Sequence, residues 1–169
     1  MRVAVLMAVL SIAAFVVSAG ANASSSGAKP CRNTQLTTRM THIFGSEGAG
    51  STGYLLSVSN VSRHRCWVRR HLDLQLLGAG STPRKLPTRV SFIGRHGVVV
   101  IRAGHTVSSR LRFSPDIPGK GEPTRVPCEP AAHSVIAFLG PPRGGGATGP
   151  VKPPTSVCEH GSIQERPLG

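Results

Sequence analysis

The chain has 169 residues, with 20 Lys and Arg against 7 Asp and Glu, a formal charge of +13 and only 4% aromatic residues. That length suits one domain around one core and excludes a large multidomain assembly. The positive balance favours anionic partners such as membranes, wall polymers or nucleic acid without choosing among them, and the cations are spread along the chain rather than gathered in one run.

In chain order, Met1-Arg2 precedes an apolar run over residues 3–17 that only Ser11 interrupts. Ala19-Gly20-Ala21 and Ala21-Asn22-Ala23 both fit a small-residue cleavage site, so residues 1–23 read as a secretory signal peptide. Cleavage after Ala23 is preferred to cleavage after Ala21 and leaves 146 residues with a charge of +12. The run is shorter than the ~20 apolar residues of a spanning helix. No cysteine follows it closely, so the expected product is exported without a lipid anchor. Residues 24–30 form a short linker and 31–169 a single domain. Cys31, Cys66, Cys128 and Cys158 all lie in that domain, and an even count in an exported chain predicts two disulfides.

Helical periodicity is nearly absent; short alternating runs bounded by Gly, Pro, Ser and Asn recur instead. Leu36, Thr38 and Met40 share one face of a first strand, and Tyr54, Leu56 and Val58 one face of a second that ends at Asn60. Cys66, Val68, Leu72, Leu74 and Leu76 continue an inward parity, with Trp67, Arg69, His71, Asp73 and Gln75 outward. Residues 90–93 predict a short strand. The β-branched run Val98–Ile101 predicts a strand buried on both faces. In Thr106–Phe113, Val107, Ser109, Leu111 and Phe113 point inward. The four prolines of 115–127 predict an edge-running loop, 135–139 a strong strand and 157–163 a last one. Residues 140–154, rich in Gly and Pro, read as a mobile loop too poor in apolar groups to pack. Seven or eight such strands predict an all-β sandwich.

Several of these features occur together in one known family. Cys31, Gly50-Ser51 before residues 55–60, Cys66-Trp67-Val68, Arg102-Ala103-Gly104 leading into Thr106–Phe113, then Cys128 and Cys158, resemble the ordered pattern of the secreted actinobacterial domain of unknown function 4232. Phe113 stands where that family often has Trp, and the 140–154 stretch is distinctive. The resemblance implies a secreted immunoglobulin-like sandwich and carries no mechanism.

The sharper chemical readings are weak. His64 and Cys66 form one loose ligand pair without a second, whereas structural zinc wants four ligands in close pairs, so neither metal nor cofactor is expected. The acids and histidines make no nucleophile elbow or paired-carboxylate spacing. Ser62 and His64 sit too close in a turn for a triad, and Arg110 and Arg112 could stabilise an anion but as outward strand arginines read more simply as a solvated face; the chain is not expected to be an enzyme. Asn60-Val61-Ser62 fits a glycosylation acceptor, but Asn60 more simply ends a strand and favours a turn.

Residues 55–71 are therefore expected to form a hairpin with a basic turn. Trp67 would lie outward among Arg65, Arg69 and His71, and with Arg63, Arg65, Arg69 and Arg70 would form an anion-binding, stacking patch or simply pack under arginine stems. Among three possible cysteine pairings, Cys31–Cys158 and Cys66–Cys128 are favoured, because domain ends often lie close together. The expected role is non-enzymatic binding of anionic envelope or extracellular polymers, or of a membrane surface, by a monomer without specific nucleic-acid recognition. A structural or stress-related envelope protein with incidental basicity is the alternative, and an uncharacterised hydrolase the third.

Overall fold

The computed structural model describes residues 27–124, 127–140 and 145–169. The expected signal peptide, the first part of the linker and residues 141–144 of the Gly/Pro stretch lie outside them. The described chain is all-β: β1 (Lys29–Pro30), β2 (Leu36–His42), β3 (Thr52–Asn60), β4 (Cys66–Arg69), β5 (Asp73–Leu77), β6 (Arg89–Phe92), β7 (Val98–Ile101), β8 (Thr106–Phe113), β9 (Ala132–Phe138), β10 (Gly146–Thr155) and β11 (Ser162–Glu165). A 3-10 turn (Asn33–Gln35) and a helical turn (Cys158–Gly161) are added to these.

Strands β1-β4-β7 form a small sheet, and β5-β9-β10-β2-β3-β8-β11-β6 a large one. The period-2 pattern sets the inward faces. Leu36, Thr38 and Met40 of β2, Tyr54, Leu56 and Val58 of β3, and Val107, Ser109, Leu111 and Phe113 of β8 are all buried, as their alternation predicts. Cys66, Val68 and Ile101 of the small sheet join Met40, Leu56 and Leu111 in one core, so the two sheets pack on each other. The large sheet also curls. Near its two ends, the Leu86 N–H donates to the Leu76 carbonyl at 2.9 Å and the Leu76 N–H to Thr88 Oγ1 at 3.0 Å. The result is a sandwich verging on a closed barrel, with eleven strands among the described residues where seven or eight are expected.

Four expectations need correction. Residues 55–71 are not a hairpin: β3 pairs with β2 and β8, whereas β4 pairs with β1 and β7, so the basic turn crosses between sheets. Asn60 makes that crossing. Fully buried, it donates from Nδ2 to the carbonyls of His64 (2.8 Å) and Ile101 (3.1 Å). Its Oδ1 accepts from the Ser62 N–H at 3.0 Å, the side-chain turn expected of Asn at a strand end. β7 is an edge strand, not one buried on both faces, with Val98 41% and Val100 38% exposed.

The Gly/Pro stretch supplies β10, which packs between β9 and β2. Its buried positions are Ala147, Gly149 and Val151, small residues at every second place. Finally, the disulfides are Cys31–Cys66 and Cys128–Cys158, with Cα atoms 4.9 and 5.7 Å apart. Strand β1 runs parallel beside β4, and the Cys31 N–H donates to the Trp67 carbonyl, so Cys31 already neighbours Cys66. Each end of the domain is stapled to its own neighbour rather than to the other end.

Candidate functional site

Alternation along β4 turns Cys66 and Val68 inward and leaves Trp67 half-buried and Arg69 exposed on the outer face. The register across the small sheet aligns Pro30, Trp67 and Val100 in one row, with Val98 opposite Arg69. The outer face of this sheet is thus an apolar row edged by cations. Arg65, one residue before β4, is exposed with the same parity. Arg63 is exposed in the crossing segment. Arg70 turns aside: its backbone N–H donates to the Gly97 carbonyl and its Nη1 reaches the Leu168 carbonyl at 3.5 Å, tying down the C-terminal segment. Of the five residues expected to bind anions, Arg65, Trp67 and Arg69 share a face, and Arg70 serves the fold.

Beside them runs a groove of about 580 Å³ lined by Lys29, Arg32, Thr34, Gln35, His64 and Arg65, with Cys66 also in its wall. Among the described residues no carboxylate lines it. Both walls are fixed locally. Gln35 Oε1 accepts from the Arg32 N–H at 2.8 Å, closing the 3-10 turn, and Asn60 holds the crossing segment that presents His64 and Arg65. Lys29 and Arg32 lie outside the patch expected from sequence because they flank Cys31, whose partner is Cys66 rather than the expected Cys158. Once Cys31 bonds Cys66, the basic flanks of both cysteines must meet.

Residues 31–168 match the family described as Domain of unknown function (DUF4232). The chain belongs to the DUF4232 family. No curated protein and no solved structure matches it.

Several other polar groups of this DUF4232 domain serve structure. Ser62 Oγ engages Asn60 Oδ1 (2.7 Å) and the His64 carbonyl, so its hydroxyl belongs to the turn. Cys66 is bridged, which removes the His64–Cys66 ligand pair. Glu165 is fully buried, its Oε2 lying 2.7 Å from His71 Nδ1 and accepting from the Leu72 N–H. Burial drives its pKa up to about 7, although the His71 ring and the Leu72 N–H pull the other way.

Glu122 is also buried, but it accepts the N–H groups of Gly119 (2.6 Å), Glu159 (2.8 Å) and His160. Burial disfavours its charge, and these three donors together with the His160 imidazole overcome that and hold its pKa below the usual value. Glu159 and His160 both have φ of +56°, which aims their successive N–H groups at the carboxylate. Ligand atoms of Glu122, Glu129 and His160 lie within 4.8 Å of one another, a set that could hold a cation. With three backbone donors already on Glu122, the arrangement acts as a clamp on the turn that carries Cys158.

Proposed function

We propose that this DUF4232 protein is an exported, monomeric, immunoglobulin-like domain of actinobacterial type that binds anionic envelope or extracellular polymers without catalysis. The supporting observation is the groove in which Lys29, Arg32, His64 and Arg65 converge, with no carboxylate among its described lining residues, continuous in sequence with the Trp67 face. Guanidinium groups pair bidentately with carboxylate, sulfate and phosphate oxygens. A groove of about 580 Å³ lined by several separate cations offers room for more than one anionic group of a chain. Two disulfides, and the absence among the described residues of a helix long and apolar enough to cross a membrane, are compatible with an extracellular location.

A net charge of +13 alone would retain the protein on any polyanion, so the test must separate site from total charge. Retention on immobilised heparin should fall steeply with salt, since the Debye length at physiological ionic strength is only ~8 Å. The double variant Arg32→Gln/Arg65→Gln should elute at clearly lower salt. Arg84→Gln/Lys85→Gln, which removes the same charge from an exposed loop, should elute close to the parent. Equal losses in the two variants would favour the structural reading with incidental basicity.

A further inference from the structure

A second basic cleft lies on the large sheet, built by β-sheet register. Alternation along β8 points Arg110 and Arg112 outward, both exposed. On β11 the register sets Gln164 opposite Arg112 and Glu165 opposite Leu111. The pairing continues one residue past β11: the Arg166 N–H donates to the Arg110 carbonyl at 3.0 Å, which places Arg166 opposite Arg110. Glu165, the acid between them, faces inward and is fully buried. Two guanidiniums therefore stand directly across from each other, with a third two residues along on the same face. Like charges opposed across strands destabilise a sheet. Among the described residues none of the three has a carboxylate within 4.0 Å.

The surface is concave here. Opposite Arg112 on the other neighbour, β3, stands Gly53, whose lack of a side chain lets Ser46 close over the strand, its Oγ accepting from the Gly53 N–H at 2.9 Å, so that Ser46 and Ile43 form the wall facing Arg112. Arg110, Arg112, Arg166 and Gln164 line a cleft of about 240 Å³ whose remaining wall includes Ile43 and Ile93, the latter 53% exposed. Arg112 Nε is held by Ser51 Oγ at 2.9 Å, which orients that guanidinium.

We infer that this cleft is a binding site for a small organic anion, a carboxylate or phosphate monoester head held by Arg110, Arg112 and Arg166 with its apolar body against Ile43 and Ile93. The volume lies below that of a drug-sized pocket, so the ligand is small. Two apolar walls distinguish it from a bare inorganic ion, and planar guanidiniums in a fixed array suit a forked anionic head. The site is separate from the polymer groove and does not depend on it.

Isothermal titration of the whole domain with phenyl phosphate, benzoate and inorganic phosphate tests the site. Phenyl phosphate or benzoate should bind with one-to-one stoichiometry, more tightly than inorganic phosphate, and which of them is tighter identifies the head group. Arg110→Gln and Arg166→Gln should each weaken binding by about tenfold or more, as loss of a charge-assisted hydrogen bond implies. Both lie on an exposed face and relieve like-charge opposition, so they should fold at least as stably as the parent. Arg84→Gln/Lys85→Gln should bind as the parent does. Absence of saturable binding by either organic anion, or binding indifferent to Arg110→Gln and Arg166→Gln, would overturn the inference.

Discussion

Glu165 is shut off from solvent, facing the His71 ring and the Leu72 N–H, with exposed Asp73 3.8 Å from the far side of that ring. Its pKa rises from an ordinary 4.5 to about 7, so the folded domain holds a proton there that the unfolded chain releases. The stability this group confers is fully present below pH ~4.5 and is lost as pH rises towards 7. Glu165→Gln keeps the shape and removes the titration. Compared with this variant, the parent should lose stability between pH 5 and 7.5 by at most about 3 kcal/mol, read from denaturant midpoints. Identical pH profiles for the two proteins would refute it. Glu122 acts in the opposite sense: its lowered pKa contributes stability above the usual carboxylate range that is lost only in more acid solution. Nothing in the sequence separates these two acids. Their difference lies in the donors that face them, three backbone N–H groups at Glu122 against one imidazole and one N–H at Glu165.

At the scale of elements, β10 carries the clearest prediction. A Cβ on Gly149 would run into the Thr38 carbonyl of β2, so the close approach of these two strands depends on glycine. Gly149→Ala should destabilise the domain by about 1–3 kcal/mol through overpacking, measured by chemical denaturation. Gly48→Ala, where a Cβ meets open space, should be nearly neutral. Equal stabilities would mean that β10 does not pack against β2 as described. The same strand shows where sequence reading stops. Strands whose alternation uses large side chains, such as β2, β3 and β8, were legible down to the parity of each residue. Ala147, Gly149 and Val151 alternate as faithfully, but residues this small look like loop composition unless the neighbouring backbones are known. The apolar run of β7 misled in the other direction, since hydrophobicity alone does not distinguish a central strand from an edge. Alternation also placed Trp67 and Arg69 on one face correctly, yet it could not reveal that β3 and β4 belong to different sheets.

For the whole molecule, the cysteine connectivity decides how the parts are joined. A nested arrangement would enclose the middle of the chain within a covalent loop. The observed pairs instead close two successive rings, 31–66 and 128–158, each worth about 4 kcal/mol of unfolded-chain entropy. Cleavage at a single protease site engineered into the exposed loop at residues 79–85 should therefore give two fragments. They should separate on a denaturing gel without reductant, and fragments that stay linked until reduced would show the pairing to be wrong. The groove obeys the same logic at this scale: its cations come from both ends of the first ring, which is why only the correct pairing assembles it.

The 61 residues between Cys66 and Cys128 are spanned by no covalent bridge. A nested bridge from Cys31 to Cys158 would carry tension straight from one end of the domain to the other and leave the sheets unloaded. With sequential rings, a pull on the two ends passes through this open middle, and the hydrogen bonds that β5, β6, β7 and β8 make with their neighbours bear the load. Once they yield, the middle can pay out about 200 Å of extended chain before any covalent bond is strained. A domain fixed at one end and gripping a polymer would then behave as an extensible tether with two inextensible ends.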